Sequence, residues 1–405
     1  MLTESTLLLF GLFMVAAASG WAFARYLDRT VRGGGEPEPP PSQGYMRGLN
    51  LLLNQQTDKA LDMFVRMVAR DDEALDTHFA LGSVFRRRGE VDRAIRIHQN
   101  ILARDDLTDS QRDAALFELA EDYLKAGLLD RAEGLFRQVA ESADDPEPAL
   151  RSLISIHETL SDWQRAYDAR EELQAVTGES QHVELSHYLC ELAERARAEG
   201  DRKGARELLK RSRKGRRKIM RGALIRARLA EEDGDTATAW RLLERVVRSD
   251  TVLLPEIFPA LVRVAEARNH TARLERMLRE LADADVRVRH RLAYTGIVSD
   301  TLEPPVVAEA VEAFILSDPT LRRLVDGDAL KDSDPERRRA ALTRIADGLR
   351  RLALETPRYR CESCGYTTQQ LVWQCPSCKS WDTGRPLTDF PYAALIARGE
   401  PRQQP

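Results

Sequence analysis

Cysteine is scarce in this chain, with five residues among 405, too few for a disulfide scaffold. Aromatic residues are also few, at 6%. Charge of one sign is missing as well: 61 Lys and Arg stand against 65 Asp and Glu, for a net charge of −4. Bulk electrostatics therefore does not make the molecule a polyanion binder. The seven histidines are scattered and form no HExxH pair. No P-loop, GxSxG elbow or dinucleotide fingerprint occurs. Nothing in the chain reads as catalytic, and the reading is of a protein that is not an enzyme. What is abundant is Ala, Leu, Arg and Glu, within a charged fraction of 31%, a composition that favours helices over sheets.

One long hydrophobic run breaks this pattern. "STLLLFGLFMVAAASGWAFA" (Ser5–Ala24) carries no charge between Glu4 and Arg25, and twenty helical residues reach about 30 Å, one hydrocarbon core. Trp21 and Tyr26 suit its ends. A cleaved signal peptide is the rival reading, but "MLTEST" has an acid and no base ahead of the run. Arg25, Arg29 and Arg32 follow the span, so the positive-inside rule keeps the C-terminal side, the bulk of the chain, in the cytoplasm. A reducing cytoplasm also suits free thiolates. Residues 1–25 are thus read as a single-pass anchor, and 26–44, with "GGGEPEPPPSQG", as a linker.

From Tyr45 the chain reads as successive helices with a fixed rhythm. Ala60, Ala94, Ala132, Ala166, Ala205 and Ala239 recur at intervals of 34, 38, 34, 39 and 34 residues. Gly89, Gly127, Gly200 and Gly234 each precede one of these alanines by five. Gly48, Gly82 and Ala120 precede the first three by twelve. Leu81, Leu119 and Leu153 hold a further register, Phe85 and Tyr123 another, and Phe64 and Phe136 a third. This resembles the tetratricopeptide repeat, in which small residues let two antiparallel helices approach and large apolar ones fill the groove against the next pair. In "LGSVFRRRGEVDRAIRIHQNIL", Gly89 ends the first helix and Asp92 helps begin the second. The expected array covers 45–330 with seven to nine helical pairs. Its concave face is the expected protein-binding surface, with no partner residues assigned.

The remaining cysteines explain their own crowding. Cys361-x2-Cys364-x10-Cys375-x2-Cys378 forms two CxxC knuckles, the spacing that brings four thiolates around one tetrahedral ion. Gly365 and Pro376 suit the turns, and Tyr359, Tyr366, Trp373 and Trp381 are expected to surround the site. "YRCESCGY" and "WQCPSCKSW" resemble rubredoxin knuckles, and an S4 site accepts one Fe or Zn ion. Four protein ligands close the site, which favours a structural role over electron transfer by an iron centre. A nucleic-acid-binding ribbon is the other alternative. It is disfavoured because Tyr359–Trp381 carries only Arg360 and Lys379 as cations beside Glu362. The ribbon is assigned to 357–385, a connecting helix with Pro335 in its first turn to 331–356, and a tail to 386–405. Helix and ribbon are expected to pack together through the ribbon's aromatics. The fifth thiol, Cys190, lies in a helical pattern and reads as a small buried hydrophobe. The basic run "KRSRKGRRKIMR" (Lys210–Arg221) reads as a solvated helix end, with contact to anionic lipid or an acidic partner as the sharper alternative.

The whole is an all-α chain: a tetratricopeptide-repeat superhelical solenoid with an N-terminal transmembrane helix and a small C-terminal rubredoxin-like ribbon. That order of parts resembles the lipopolysaccharide assembly protein B family of Gram-negative bacteria, most sharply in "HFALGSVFRRRGEVDRAIRIHQ", "AEDYLKAGLLDRAEGLF" and "PRYRCESCGYTTQQLVWQCPSCKSW". The resemblance implies an inner-membrane adaptor whose repeats face the cytoplasm. It implies that the adaptor promotes degradation of the UDP-3-O-acyl-N-acetylglucosamine deacetylase of lipid A synthesis by a membrane ATP-dependent metalloprotease, and that it coordinates lipopolysaccharide synthesis with export. The implied partners are the protease, the deacetylase and other inner-membrane assembly or sensing proteins, with no nucleic acid, and self-association is left open. It further implies metal ligation by Cys361, Cys364, Cys375 and Cys378 and docking of the ribbon against the repeats.

Overall fold

The computed structural model describes residues 75–213, 220–317 and 334–387 as continuous stretches, with a few single positions elsewhere. The expected span Ser5–Ala24, the linker, Gly48, Phe64, residues 214–219 of the basic run and the tail beyond Leu387 lie outside the described residues. Among the described residues no helix is long and apolar enough to cross a membrane.

The described chain is helical throughout, apart from three short strands at its end. It divides into two compact units, residues 1–135 and 136–405. The first contains α1 (Leu75–Arg87), α2 (Val91–Leu102) and α3 (Asp109–Lys125), and α4 (Leu129–Ser142) begins in it. The second continues with α5 (Glu147–Thr159), α6 (Trp163–Thr177), α7 (His182–Ala198), α8 (Arg202–Arg211), α9 (Met220–Glu232) and α10 (Thr236–Ser249). Then follow α11 (Leu254–Ala267), α12 (Thr271–Ala284), α13 (Val286–Val298), α14 (Pro305–Ser317) and α15 (Pro335–Glu355). Sequential neighbours pair, as in α1 with α2, α5 with α6, α7 with α8, α9 with α10 and α13 with α14. First helices also meet across the repeat, α7 against α9 and α11 against α13.

The alanine rhythm is a burial rhythm. Ala60, Ala94, Ala132, Ala166, Ala205 and Ala239 all lack any exposed surface. The next place in that series, 35 residues past Ala239, belongs to Leu274, which is also buried. The position keeps its role there but not its small size, so the alanine pattern fades while the helical pairs continue. In the companion register twelve residues earlier, Gly82 has no room for a side chain: a Cβ there would run into the imidazole of His98. That imidazole is itself buried beside Asp122, with Nδ1 at 2.5 Å from the carboxylate, and Arg86 pairs with the other oxygen at 2.7 Å.

Gly89, Gly127, Gly200 and Gly234 each take positive φ, between +76° and +85°, the left-handed step that ends a first helix. Two turns make the same step without glycine, at Ser161 and Asn269, both at φ 55°. Asp162, Asp201 and Asp235 come directly after the left-handed residue and cap the second helix, accepting from the amides of Arg165, Gly204 and Thr238. In α2 the corresponding residue is Glu90, which makes no side-chain capping bond. Asp92 sits in the first turn, where a carboxylate favours the helix through its dipole.

Helix α15 starts as the sequence predicts, with Pro335 in its first turn and Asp334 accepting from the amide of Glu336. Its apolar stripe, Leu342, Ile345, Ala346 and Leu349, joins the core made by α13 and α14. The connecting helix therefore closes the apolar end of the array. The ribbon's aromatics are seated elsewhere, as described next.

Candidate metal centre

The ribbon is a three-stranded antiparallel sheet of order β2-β1-β3, made of β1 (Tyr359–Cys361), β2 (Thr367–Thr368) and β3 (Gly384–Pro386). Tyr359 pairs with Thr368 on one side and with Pro386 on the other. The two knuckles repeat one backbone design. The amide of Cys361 donates to the carbonyl of Tyr366, and that of Cys375 to Ser380. Gly365 donates back to Cys361, and Lys379 to Cys375. Gly365 and Lys379 both adopt positive φ, 77° and 60°. The first knuckle meets this demand with glycine, as its sequence suggests. The second meets it with Lys379, while Pro376 is an exposed residue within the turn.

These turns gather the four predicted ligands. The sulfurs of Cys361, Cys364, Cys375 and Cys378 all lie within 4.8 Å of one another. Cys361 and Cys378 are 3.7 Å apart, as are Cys364 and Cys375. Four sulfurs placed 2.3 Å from a common centre at tetrahedral angles stand about 3.8 Å apart, so the cluster has the size a bound ion requires. The same distances are far longer than a disulfide bond, and all four thiols are free. Contacts from Thr383 Oγ1 to Cys361 (3.2 Å) and from Ser380 Oγ to Cys378 (3.3 Å) favour the thiolates. The hydroxyl of Thr383 brings the Cys361 thiol down to about 6. Ser380 lowers Cys378, while burial pushes Cys375 up to about 11. A thiophilic ion such as zinc or iron fits this donor set, and its charge would hold all four sulfurs deprotonated.

Of the four aromatics expected around the site, Trp373 and Trp381 meet the repeats. Tyr366 is exposed. Trp381 is buried against the repeats, with its ring edge-on to Trp163 at 5.7 Å and to Tyr188 at 5.6 Å. It stacks on His187 at 5.0 Å. Trp373 leans on the same histidine at 5.9 Å, and Arg221 lies over its other reach at 5.8 Å. Glu158, near the end of α5, ties the contact together. It accepts from Trp381 Nε1 at 3.1 Å and from Gln374 Nε2 at 2.9 Å. On the array side it accepts from the Tyr188 hydroxyl and pairs with Arg170 at 3.3 Å. Further along, Arg358 at the ribbon's edge pairs with Glu256 of α11 at 3.3 Å. His187, Arg221 and Glu256 are 34 and 35 residues apart, one from each of three consecutive first helices.

His187 has no exposed surface and neither ring nitrogen has a hydrogen-bond partner among the described residues. Burial, helped by the nearby Arg221 guanidinium, pushes its imidazole down to about 3, so it is neutral. Burial likewise raises the Tyr188 phenol. Cys190, the fifth thiol, lies in the core with Ala193, Ala205 and Leu209, and burial pushes it up to about 12. It is a buried core residue, as its helical context predicts.

The docking residues Glu158, Trp163, Arg170, His187 and Tyr188 escape a reading of the sequence. None belongs to a motif, and the one usable signal was the repeat spacing that relates His187 to Arg221 and Glu256.

Fold and site together define a class: an all-α tetratricopeptide-repeat protein that ends in a rubredoxin-type four-cysteine ribbon. Comparison with known proteins agrees on both parts. The rubredoxin metal binding domain family matches residues 359–386, and the tetratricopeptide repeat matches 77–110. Lipopolysaccharide assembly protein B of Escherichia coli strain K12 is 35% identical over 392 residues, covering 94% of this chain and 98% of that protein. The protein of the same name from Haemophilus influenzae is 28% identical, with 94% and 98% covered. Among solved structures, the C-terminal part of a repeat protein from Cytophaga hutchinsonii aligns at 14% identity over 70% of this chain and 98% of its own, with a TM-score of 0.37. The chain belongs to the lipopolysaccharide assembly protein B family.

Proposed function

We propose that this protein is a membrane-anchored cytoplasmic adaptor of lipopolysaccharide biosynthesis. It grips the UDP-3-O-acyl-N-acetylglucosamine deacetylase and brings it to the membrane ATP-dependent metalloprotease, and so matches lipopolysaccharide synthesis to export. The observation that carries this reading is the family relationship over 94% of the chain, whose members are named for lipopolysaccharide assembly. The repeat array supports it, because stacked helical pairs bind other proteins rather than make or break bonds. The ribbon supports it too: four cysteines occupy every position of a tetrahedral ion, leaving none for substrate. A span at Ser5–Ala24 tethers adaptor and protease to one bilayer and raises their effective concentration.

Depleting the protein in living cells should lengthen the deacetylase half-life several-fold and raise lipopolysaccharide. An unchanged half-life in a pulse-chase measurement would remove the adaptor reading.

A further inference from the structure

Most arginines of the second unit sit beside a carboxylate. Arg197 pairs with Glu232, Arg228 with Glu194, Arg263 with Glu231 and Arg279 with Glu309. Among those that do not, three share one recess: the exposed Arg213 just past α8, the half-buried Arg226 on α9 and the exposed Arg245 on α10 line one pocket of about 330 Å³. No acidic residue lines it, and none of the three makes an ion pair among the described residues. The rest of the lining is Met220, Gly222, Ala223, Leu242 and Val246, with Ser212 and Ser249. Like charges gathered in one recess repel, and Arg226 is the half-buried member between two exposed ones. The repulsion registers on Arg226, which burial, followed by Arg213 and Arg245, holds below its ordinary value.

We infer that this pocket between α9 and α10 is a binding site for a phosphate monoester, held by Arg213, Arg226 and Arg245. Guanidinium forks match tetrahedral oxyanions and bind them through paired, charge-assisted hydrogen bonds. Such a group carries a charge of about −1.5 to −2 near neutral pH, which relieves the repulsion among the three. The pocket is larger than phosphate alone needs, and its apolar side chains offer a wall to whatever organic group the phosphate carries. An extended acidic peptide fits less well, since it would call for cations strung along a strip rather than gathered in one recess.

The test uses the full chain in neutral detergent, with calorimetry and thermal unfolding as readouts. The probes are inorganic phosphate, short-chain phosphatidic acid, short-chain phosphatidylcholine and a polyglutamate peptide. Saturable binding of phosphate or phosphatidic acid is expected, with no binding of phosphatidylcholine. Tighter binding of phosphatidic acid assigns a lipid headgroup, and equal binding assigns a free phosphate compound. Arg226→Gln should weaken binding by about tenfold or more. Arg287→Gln, which removes an equal charge elsewhere, should leave it within about twofold. Arg226→Gln should also unfold at a higher temperature than the parent in the absence of probe, which shows that it folds. Phosphate binding that is absent, or equally lost in Arg287→Gln, overturns the site. So does polyglutamate binding that exceeds both phosphate probes and falls with Arg226→Gln, an outcome that assigns the pocket to an acidic protein.

Discussion

Glu158 accepts from two ribbon side chains, Trp381 and Gln374, and from two array side chains, Tyr188 and Arg170. The carboxylate and Arg170 are each largely buried, at 10% and 14% side-chain exposure. Removing one member of such a pair strands the other. Glu158→Ala should therefore destabilise the docked ribbon by about 3–5 kcal/mol, read as faster amide exchange in β1–β3 and a lower unfolding midpoint in urea. His187 makes a second prediction, on pH. Its imidazole titrates near 3 in the folded chain, against about 6.5 when unfolded. Between those values the unfolded chain binds the extra proton, so stability falls as pH drops through that window. The slope approaches about 1.4 kcal/mol per pH unit from this residue. In His187→Phe, which keeps a flat ring against Trp381, that part of the slope should vanish. The slope due to protonating the metal thiolates should remain, so acid unfolding of the two proteins compared from pH 7 to 4 separates them.

At the scale of the element, the turn between paired helices is one left-handed residue, followed at three turns by a capping aspartate, Asp162, Asp201 or Asp235. Glycine makes the step at four turns, and these were legible in the sequence. Ser161 and Asn269 make it too; asparagine tolerates that region better than most residues with a Cβ, while nothing in the type of Ser161 announced it. A residue with a Cβ in that region costs roughly 1 kcal/mol relative to glycine. Ser161→Gly should accordingly raise stability by about that amount, measured by urea unfolding, because Asp162 already supplies the cap. The ribbon shows the same economy, with Gly365 and Lys379 in equivalent places. Trp373 and Trp381 find their partner surface on α6, α7 and α9 and not on the connecting helix, for an element-scale reason. The apolar stripe of α15 is consumed by the end of the array, where α13 and α14 leave a face to be covered.

At the scale of the molecule, the ribbon has two sources of order: an ion, which its four cysteines are placed to hold, and the repeats it rests on. Structural ions in such small modules supply on the order of 10 kcal/mol of folding free energy, more than three short strands can offer. Cys378→Ser places the change at an exposed ligand, so no core cavity accompanies it. This variant should lose stoichiometric metal by elemental analysis. Trp381 fluorescence should shift red as the ring leaves its seat, with the helical circular dichroism little changed. Full metal content in the variant would contradict the ligand assignment. Release of the ribbon would also bare His187, Tyr188 and Trp163, so metal loss is expected to weaken grip on protein partners along that same row of first helices.

The sequence by itself determined what depends on neighbours along the chain: the helical pairs, their glycine turns, the buried alanine register and the two knuckles that gather four thiols. Each is fixed by spacing and by backbone geometry a few residues long. Only the tertiary structure decided where the ribbon sits and which arginines are left without a counter-charge. Trp381 reaches Glu158 across 223 residues of chain and Gln374 across 216, and glutamate and arginine are among the commonest residues here. Which of them matter is set by burial and by what the fold places opposite, and neither quantity exists until the helices have stacked.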